Sequence, residues 1–523
     1  MSTPAPEPNA GCSAPPERPV RFVHRGRVVE VHGPQACRSV LNWLREDAQC
    51  PGTKEGCNEG DCGACTVLIA EPADERPSAG PDDPVVEGLR LRTVNSCIQF
   101  LPTLHGKALI TVEDLAGFDP PPGPGPHLHP VQQALVDHHG SQCGFCTPGF
   151  AVSLLACYEG HQAAGCRPSR EDLADALAGN LCRCTGYRPI VDAGLAAFDA
   201  APRRLPAAAL RAQLEALAAS EAPGPVLHAG GFHAPRSLDE LAALRLARPQ
   251  ATLLAGSTDI GLWVSKQFRA LGDILYLGAV PELKRLAWEG DTLVIGAGVS
   301  LEEAWRALAA LDPALREMGR RFAAPPVRHA GTLGGNVANG SPIGDGPPVL
   351  MALDAQLRLR RGTRLRTVPL DDFYLDYMKN RLEAGEFLEA IEVPRPASGT
   401  VLRGEKLSKR HDCDISAVSA GFALRLDAAG QVAAVRLAFG GLAATVRRAS
   451  QAEAAIQGQP WTEATLRAAQ AALARDVQPL SDLRASAAYR LRGAQALLER
   501  LWLETRLVDP LPPAALRLRP APV

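Results

Sequence analysis

The stretch that decides the fold is Cys57-Asn-Glu-Gly-Asp-Cys62-Gly-Ala-Cys65. With Cys97 further along the chain, it has the C-x4-C-x2-C spacing and distant fourth cysteine of plant-type [2Fe–2S] ligands. Glycine permits the φ angles with which backbone N–H groups bend around a charged cluster. Zinc sites favour paired C-x2-C units, and this stretch does not match them. The spacing therefore predicts a [2Fe–2S] cluster.

A second group of cysteines lies in a helical context. Its members are Cys143, Cys146, Cys182 and Cys184. Pro130 marks a helix start, apolar residues recur at helical spacing from Phe150, and Ser169 begins a capped helix. Because helix N-terminal N–H groups stabilise thiolates, two such loops facing each other are predicted to hold a second [2Fe–2S] cluster.

Composition limits what else the chain does. The 523 residues predict three or four domains, and a net charge of −2 gives no general attraction to nucleic acid or membrane. The sequence contains neither a long apolar run nor a secretory signal, so we expect a cytoplasmic protein with no membrane or nucleic-acid partner. In the reducing cytoplasm, clustered cysteines indicate metal or redox chemistry rather than disulfides. The remaining cysteines are interpreted as buried small residues or surface thiols: Cys12, Cys37, Cys50, Cys157, Cys166 and Cys413.

The order of patterns predicts a multidomain α+β protein. Alternating strands from Val20 and Val28, followed by a helix from Ser39, are typical of a β-grasp ferredoxin. Proline-rich punctuation at 119–126 separates the two cysteine groups, and residues 71–90 are expected to form a solvated hairpin loop. The expected organisation is a disordered arm (1–19), a plant-type [2Fe–2S] ferredoxin-like domain (20–115), an all-α [2Fe–2S] domain (127–200), a linker (201–225), a cofactor-binding domain (226–395) and an α+β module (396–510).

Two further strings have the properties of a phosphate cradle. Residues 253–261 run from an apolar strand through a Gly-Ser-Thr turn into a helix, which presents N–H and hydroxyl donors to a pyrophosphate. Such a turn is weak evidence alone, since it is not the G-x-G-x-x-G fingerprint. Residues 331–345 form a second small-residue stretch, which ends in Asp345, a carboxylate able to hold a hydroxyl.

The cysteine strings resemble a known family. The segments around Cys57–Cys65, His129-Pro-Val-Gln, Gln142-Cys143-Gly-Phe-Cys146-Thr-Pro-Gly and Cys182-Arg-Cys184-Thr-Gly-Tyr-Arg-Pro are similar to the iron–sulfur part of the xanthine oxidase family of molybdenum hydroxylases. The resemblance implies that the helical cluster adjoins a molybdopterin held by a separate domain or subunit and that Gln142 contacts the pterin. A helix-capping role for Gln142 is the alternative.

The two later strings resemble the flavin-binding domain of the same family, whose two-part α+β fold is of the vanillyl-alcohol-oxidase type. The resemblance implies an FAD whose pyrophosphate is lined by Leu253, Leu254, Ala255, Gly256, Ser257, Thr258, Asp259, Ile260 and Gly261. It places Phe322 and Leu388 at the ring pocket, although Phe322 also suits a core position. The residues implied for phosphate, ribose or adenine-side groups are Thr332, Gly335, Asn336 and Asp345, of which Asp345 could instead cap a turn.

The resemblance also implies a function. The chain has no room for a molybdopterin domain, so we expect a subunit whose molybdopterin-binding large partner carries the catalytic base and oxidises hypoxanthine or xanthine. Electrons would pass through both clusters to FAD and on to NAD+ as co-substrate, in a dimer of heterodimers. The alternatives are the equivalent subunit of an enzyme acting on an aldehyde, CO or an N-heterocycle, a reductase acting alone, and a redox carrier or sensor.

Overall fold

A computed structural model describes residues 17–74, 80–120, 127–512 and 515. Most of the expected disordered arm at 1–19 lies outside the described residues, as does most of the proline-rich punctuation at 119–126. Within the described part of the chain, no helix is both long and apolar enough to cross a membrane. The chain is a multidomain α+β protein, as the sequence predicts.

The first region is a mixed sheet with one helix. Its elements are β1 (Val20–His24), β2 (Arg27–Val31), α1 (Val40–Glu46), β3 (Thr66–Pro72), β4 (Val85–Val86), β5 (Leu89–Asn95) and β6 (Ala108–Ile110). The strands are ordered β2-β1-β6-β3-β5-β4, with β1 and β6 parallel. The predicted strands at Val20 and Val28 and the helix after Ser39 are confirmed, and the Ser39 side chain accepts a hydrogen bond from the Asn42 N–H. The name β-grasp stays a prediction.

The second region is helical, as predicted. It contains α2 (Pro130–Asp137), α3 (Thr147–Ala164), α4 (Arg170–Leu177) and α5 (Arg188–Ala196). Capping boxes at His129 and Ser169 satisfy the first N–H groups of α2 and α4. Helix α3 is buried along most of its length, so its N-terminus is a rigid support for the cysteines in front of it.

The stretch expected to be a linker is packed rather than free. It contains α6 (Ala207–Ala219), whose Leu210 and Leu214 are buried in the same apolar core as α3. Before this helix, the buried Arg203 guanidinium donates four hydrogen bonds to backbone carbonyls. The acceptors are Ala116, Phe118, His127 and Leu128. The linker therefore fastens the end of the first region to the helical region.

The third region contains two sheets. The smaller is built from β7 (Val226–His228), β8 (Phe232–Ala234), β9 (Thr252–Leu254) and β10 (Ile274–Tyr276), with α7 (Leu238–Ala247) and α8 (Ile260–Ser265). The larger contains β11 (Leu286–Glu289), β12 (Thr292–Gly296), β13 (Gln356–Arg361), β14 (Arg364–Pro369) and β17 (Phe387–Pro394). Beside it lie α9 (Leu301–Leu311), α10 (Arg316–Arg321), α11 (Pro325–Ala330), α12 (Leu333–Ala338), α13 (Gly346–Ala352), α14 (Leu370–Phe373) and the hairpin of β15 (Tyr374–Asp376) and β16 (Lys379–Asn380). Strand β9, its turn and α8 are confirmed in the predicted order.

The last region is an antiparallel sheet covered by helices. Its elements are β18 (Val401–Leu407), β19 (Val418–Leu426), β20 (Val432–Gly440), β21 (Arg447–Arg448), α15 (Ser450–Ile456), α16 (Glu463–Asp476) and α17 (Ala487–Thr505). The other face of this sheet contacts α13 of the third region. The strand predicted from Val432 and the alanine-rich helices after it are confirmed.

Partly buried ion pairs join the first region to the third. Arg92 on β5 donates to Glu303 on α9 at 3.1 Å, and Arg306 lies 3.2 Å from Asp83. Asp83 also pairs with Arg90 and is only 5% exposed. The 71–90 segment forms a hairpin as expected, and Asp74, Asp82 and Glu87 are exposed. Asp83 departs from the expectation of a solvated loop, because it is buried where it pairs with two arginines.

Replacing Arg203 by alanine should weaken the helical region. The substitution leaves buried carbonyls without a donor, and an unsatisfied buried group costs about 1–3 kcal/mol. We expect the opening free energy of α3 to fall by about 3 kcal/mol, measured by hydrogen exchange of its amides. The control is Arg211→Ala, which removes an exposed pair with Glu215; equal effects of the two variants would contradict the role of Arg203.

Candidate cofactor-binding sites

The four cysteines predicted as the first ligand set lie close together, and their role as ligands stays a prediction. The Cys65 and Cys97 sulfurs lie 3.2 Å apart and are buried. Cys57 accepts hydrogen bonds at its sulfur from the N–H groups of Asp61 and Cys62, at 3.4 and 3.3 Å. Such N–H···S bonds stabilise thiolates and are typical of iron–sulfur sites. The cysteines thus form two neighbouring pairs, Cys57 with Cys62 and Cys65 with Cys97.

The electrostatics of this set call for a cation. Hydrogen bonds from Cys62 and Cys97 hold the pKa of the Cys57 thiol far below its ordinary value. The opposite holds for Cys97, whose pKa is raised because its proton is shared with Cys57 and Cys65. The thiols cannot all ionise without added positive charge, which bound iron would supply. Among the described residues, no group of three or more His, Cys, Asp or Glu side chains has the arrangement of a metal-ion site.

The second ligand set also forms two pairs. Cys146 is within hydrogen-bonding reach of Cys182, and Cys143 is within reach of Cys184. Burial and the neighbouring Cys182 raise the pKa of Cys146 to about 12. Burial opposes ionisation of Cys182, but hydrogen bonds from Thr185 hold the pKa of that thiol below its ordinary value. The oxygen and nitrogen of Thr185 lie 3.3 and 3.5 Å from the Cys182 sulfur.

The two sets differ in exposure. Cys143 and Cys184 are exposed, whereas Cys65 and Cys97 are buried. Gln142, expected at the pterin, is also exposed. Three large apolar side chains near these cysteines in the sequence are exposed as well: Phe145, Leu181 and Tyr187. Cys143 and Cys184 therefore form the outward side of the second set, whose Cys182 is buried, and Cys65 and Cys97 form the buried side of the first set, whose Cys57 and Cys62 are half-buried.

Direct contacts join the two ligand loops. The Leu181 N–H, one residue before Cys182, donates to the Cys62 carbonyl at 3.0 Å. The buried Asn180 side chain donates to the Gly63 carbonyl at 3.1 Å and accepts from Ser153 on α3 at 2.7 Å. Gly63 has φ +70°, and a Cβ there would lie 2.3 Å from the Gly179 carbonyl. Only glycine lets the loops approach this closely.

The turn expected to bind pyrophosphate contacts the segment that carries Cys97. The Ser257 hydroxyl donates to the Ile98 carbonyl at 2.6 Å, and the Gln99 amide donates to the Gly256 carbonyl at 2.8 Å. Ser257 has φ 63°, in the left-handed region that is strained for serine. Helix α8 continues this contact, because Lys266 donates to the Cys57 carbonyl at 2.5 Å.

The two cradle strings come together. A Cβ at Gly256 would lie 1.8 Å from the Ala330 carbonyl, so the turn lies directly against the start of the second string. Thr332 caps α12 by accepting from the Gly335 N–H at 3.0 Å. One turn later the Asn336 Oδ1 is buried and has no hydrogen-bond partner among the described residues. A tight backbone cradle with an unpaired polar atom fits a nucleotide cofactor.

The other predicted flavin-binding residues are two hydrogen-bonded carboxylates and two apolar core residues. Asp345 is buried and accepts hydrogen bonds from Lys406 and Ser416. Burial raises the pKa of Asp259, whose side chain hydrogen-bonds to Trp263 and Asn339. Phe322 and Leu388 are buried in the apolar core of the third region, with the Phe322 ring 6.0 Å from Trp305. The ring-pocket role of these two residues stays a prediction.

Sequence reasoning missed the residues that connect the sites. Asn180 and Gln99 each join segments distant in the chain. Their only sequence signal is position, since each lies within two residues of a predicted cluster ligand. A polar residue beside a ligand has many structural uses, so that signal alone could not have identified its partner.

Comparison with known proteins supports these sites. Residues 111–195 match the model of a [2Fe–2S] binding domain, residues 228–396 that of the FAD binding domain in molybdopterin dehydrogenase, and residues 405–505 that of the CO dehydrogenase flavoprotein C-terminal domain. The chain thus contains a [2Fe–2S]-binding and an FAD-binding domain, which makes it an iron–sulfur flavoprotein.

Similar proteins indicate the family to which this iron–sulfur flavoprotein belongs. Xanthine dehydrogenase of Emericella nidulans is 29% identical over 87% of this chain, and aldehyde oxidase 2 of Cavia porcellus is 30% identical over 85%. The chain spans 36% of the length of each. A carbon monoxide dehydrogenase structure from Hydrogenophaga pseudoflava, lacking the Mo-pyranopterin moiety, is 33% identical over 51% of this chain and 94% of that one, with a TM-score of 0.49. The three domain models that this chain matches place it in the xanthine oxidase family of molybdenum hydroxylases.

Serine substitution at one ligand of each set should remove one cluster at a time. Cys65→Ser and Cys146→Ser are each expected to lower the iron content by about half and to abolish one of two electron paramagnetic resonance signals. The matched controls are Cys50→Ser and Cys157→Ser, because both cysteines are buried but belong to neither set. Iron loss in the control variants would show that buried cysteines in general, rather than these sets, retain the metal.

Gly256→Ala should remove flavin and leave iron. The new Cβ would clash with the Ala330 carbonyl and force the two cradle strings apart. We expect FAD content to fall at least tenfold, as read from flavin released on denaturation, at unchanged iron content. Gly117→Ala is the control, since a Cβ there meets nothing within 4 Å. Full flavin occupancy in Gly256→Ala would contradict this placement of the cradle.

Proposed function

We propose that this chain is the electron-transfer subunit of a xanthine dehydrogenase. The observation that carries the proposal is a continuous series of contacts from the second ligand set to the flavin cradle. Leu181 joins Cys182 to the Cys62 carbonyl, and Ser257 joins the cradle to Ile98 beside Cys97. A chain built to hold two clusters and a flavin at fixed separations is suited to passing electrons between them.

The residues of the chain hold and orient the cofactors. When bound, the two [2Fe–2S] clusters would carry electrons singly, and FAD would collect two and release them as a hydride to NAD+. Cys57 with Cys62 and Cys65 with Cys97 would each hold one iron of the inner cluster, and Cys143 with Cys184 and Cys146 with Cys182 would do so for the outer one. Gly256, Thr332 and Asn336 would hold the flavin nucleotide. The backbone carbonyls of Cys62 and Ile98 keep the ligand loops and the cradle in register.

The exposed face of the outer ligand set suits a partner. Cys143, Cys184 and Gln142 are exposed there, together with Phe145, Leu181 and Tyr187, which follow or precede the cysteines closely in the sequence. We infer that a molybdopterin-binding subunit covers this face, that Gln142 contacts the pterin and that the complex is a cytoplasmic dimer of heterodimers. The catalytic base and the substrate site would belong to that partner.

Hypoxanthine or xanthine is the proposed reducing substrate. Support comes from the similarity to xanthine dehydrogenases over more than four-fifths of the chain. The second candidate is the equivalent part of an enzyme that oxidises an aldehyde, CO or an N-heterocycle, because the similarity to aldehyde oxidase 2 is equally extensive and residues 405–505 match a CO dehydrogenase domain.

Anaerobic bleaching of the natively purified complex tests the proposal. Xanthine should bleach the flavin and iron–sulfur absorbance, and NAD+ added afterwards should restore it. Bleaching by an aldehyde or another heterocycle but not by xanthine would favour the second candidate. Bleaching that NAD+ does not reverse would contradict NAD+ as the acceptor.

A further inference from the structure

Thr185 donates two hydrogen bonds to a buried sulfur of the second predicted ligand set. Its hydroxyl oxygen lies 3.3 Å from the Cys182 sulfur, and its backbone nitrogen lies 3.5 Å from the same sulfur. Cys182 is buried, whereas Cys143 and Cys184 of this set are exposed. Water can donate to an exposed sulfur but does not reach a buried one. The donors to the Cys182 sulfur therefore come from the protein itself.

A further hydrogen bond fixes the direction of the Thr185 hydroxyl. The Tyr187 N–H donates to Thr185 Oγ1 at 3.2 Å, so the oxygen is held as an acceptor on one side and turns its own hydrogen to the sulfur. The Tyr187 hydroxyl in turn accepts from the Cys182 N–H at 3.1 Å. Tyr187 has φ 69°, a backbone conformation that is strained for a bulky residue and that persists only where the surrounding structure holds it. The turn 182–187 is thus closed by hydrogen bonds around the Thr185 hydroxyl.

Hydrogen bonds to ligand sulfurs influence how readily an iron–sulfur cluster is reduced. Reduction adds one negative charge, part of which lies on the sulfurs, so a donor aimed at a sulfur stabilises the reduced cluster more than the oxidised one. The reduction potential is raised as a result. Because hydrogen bonds in a chain polarise one another, the Tyr187 N–H strengthens the donation from Thr185. The low dielectric around a buried sulfur strengthens the effect further.

We propose that Thr185 is a positioning residue, whose hydroxyl raises the reduction potential of the outer cluster by donating to the Cys182 sulfur. The inference rests on the proposed electron-transfer function and deepens it, since it names a residue that adjusts how readily the outer cluster accepts an electron. Thr185 acts through the sulfur and needs no contact with iron or with the partner subunit.

The chain supplies a matched control in the same ligand set. Thr147 directly follows Cys146, just as Thr185 directly follows Cys184. The Thr147 hydroxyl, however, donates to the Ser141 hydroxyl at 2.7 Å rather than to a sulfur. Valine has nearly the shape of threonine, so Thr185→Val and Thr147→Val each remove one hydroxyl beside the outer set. Their comparison separates the loss of a hydrogen bond to a ligand sulfur from a general disturbance of the ligand loops.

The test is a redox titration of the natively purified protein, in which each cluster is followed by its electron paramagnetic resonance signal. The Cys146→Ser variant identifies the outer signal, since it should lack that cluster. Thr185→Val should make the outer cluster about tenfold harder to reduce, a fall of about 59 mV for one electron, and should leave the inner cluster unchanged. Thr185→Ser, which keeps a hydroxyl, should restore most of the wild-type potential. Thr147→Val should titrate as wild type does.

Several results would overturn the inference. They are a wild-type potential in Thr185→Val, a fall in Thr185→Ser as large as in Thr185→Val, and an equal fall in Thr147→Val. Thr185→Ala is a second variant without the hydroxyl, and it is titrated in place of Thr185→Val if that variant loses iron. Loss of the outer cluster from both would assign Thr185 a purely structural role and overturn the claim as well. A wild-type protein without an outer signal would overturn the proposed function itself, so failure of the two claims is distinguishable.

Discussion

The hydrogen bond from the Leu181 N–H to the Cys62 carbonyl sets the separation on which the rest of the molecule depends. Leu181 immediately precedes Cys182 of the second predicted ligand set, and Cys62 belongs to the first. The two loops therefore cannot move apart without breaking this hydrogen bond. The left-handed Gly63 and the buried Asn180 hold the same contact from either side. On the proposed function, cofactors that exchange electrons must be kept at a short, fixed distance, and these contacts would keep it.

The flavin cradle obeys the same constraint on the opposite side of the inner ligand set. Ser257 and Gln99 connect the cradle turn to the residues that follow Cys97. The inner set is thereby held between the outer set and the cradle, and ion pairs of Arg92 and Arg306 add contacts between the first and third regions. Exposure agrees with this order in part, since Cys143 and Cys184 of the outer set are exposed whereas Cys65 and Cys97 of the inner set are buried.

Local chemistry was predictable from the sequence, and long-range contact was not. The cysteine spacings, the capped helix after Ser169 and the strand-turn-helix around Gly256 are local patterns, and the structure forms each element where the pattern lies. The bond from Ser257 to Ile98 spans 159 residues and that from Lys406 to Asp345 spans 61. Neither leaves a periodicity in the sequence. The burial of Asp83 in the 71–90 segment was missed for the same reason. Its partner Arg306 belongs to the third region and lies far away in the chain.

Light-driven reduction of the bound flavin would test the order of the cofactors most directly, because it depends on neither the substrate nor NAD+. In the wild-type full chain, electrons placed on the flavin should reach both iron–sulfur centres, as followed by their electron paramagnetic resonance signals. In Cys65→Ser, which lacks the inner cluster on this account, the outer cluster should stay oxidised on the same timescale. Reduction of the outer cluster in Cys65→Ser at the wild-type rate would contradict a relay through the inner ligand set.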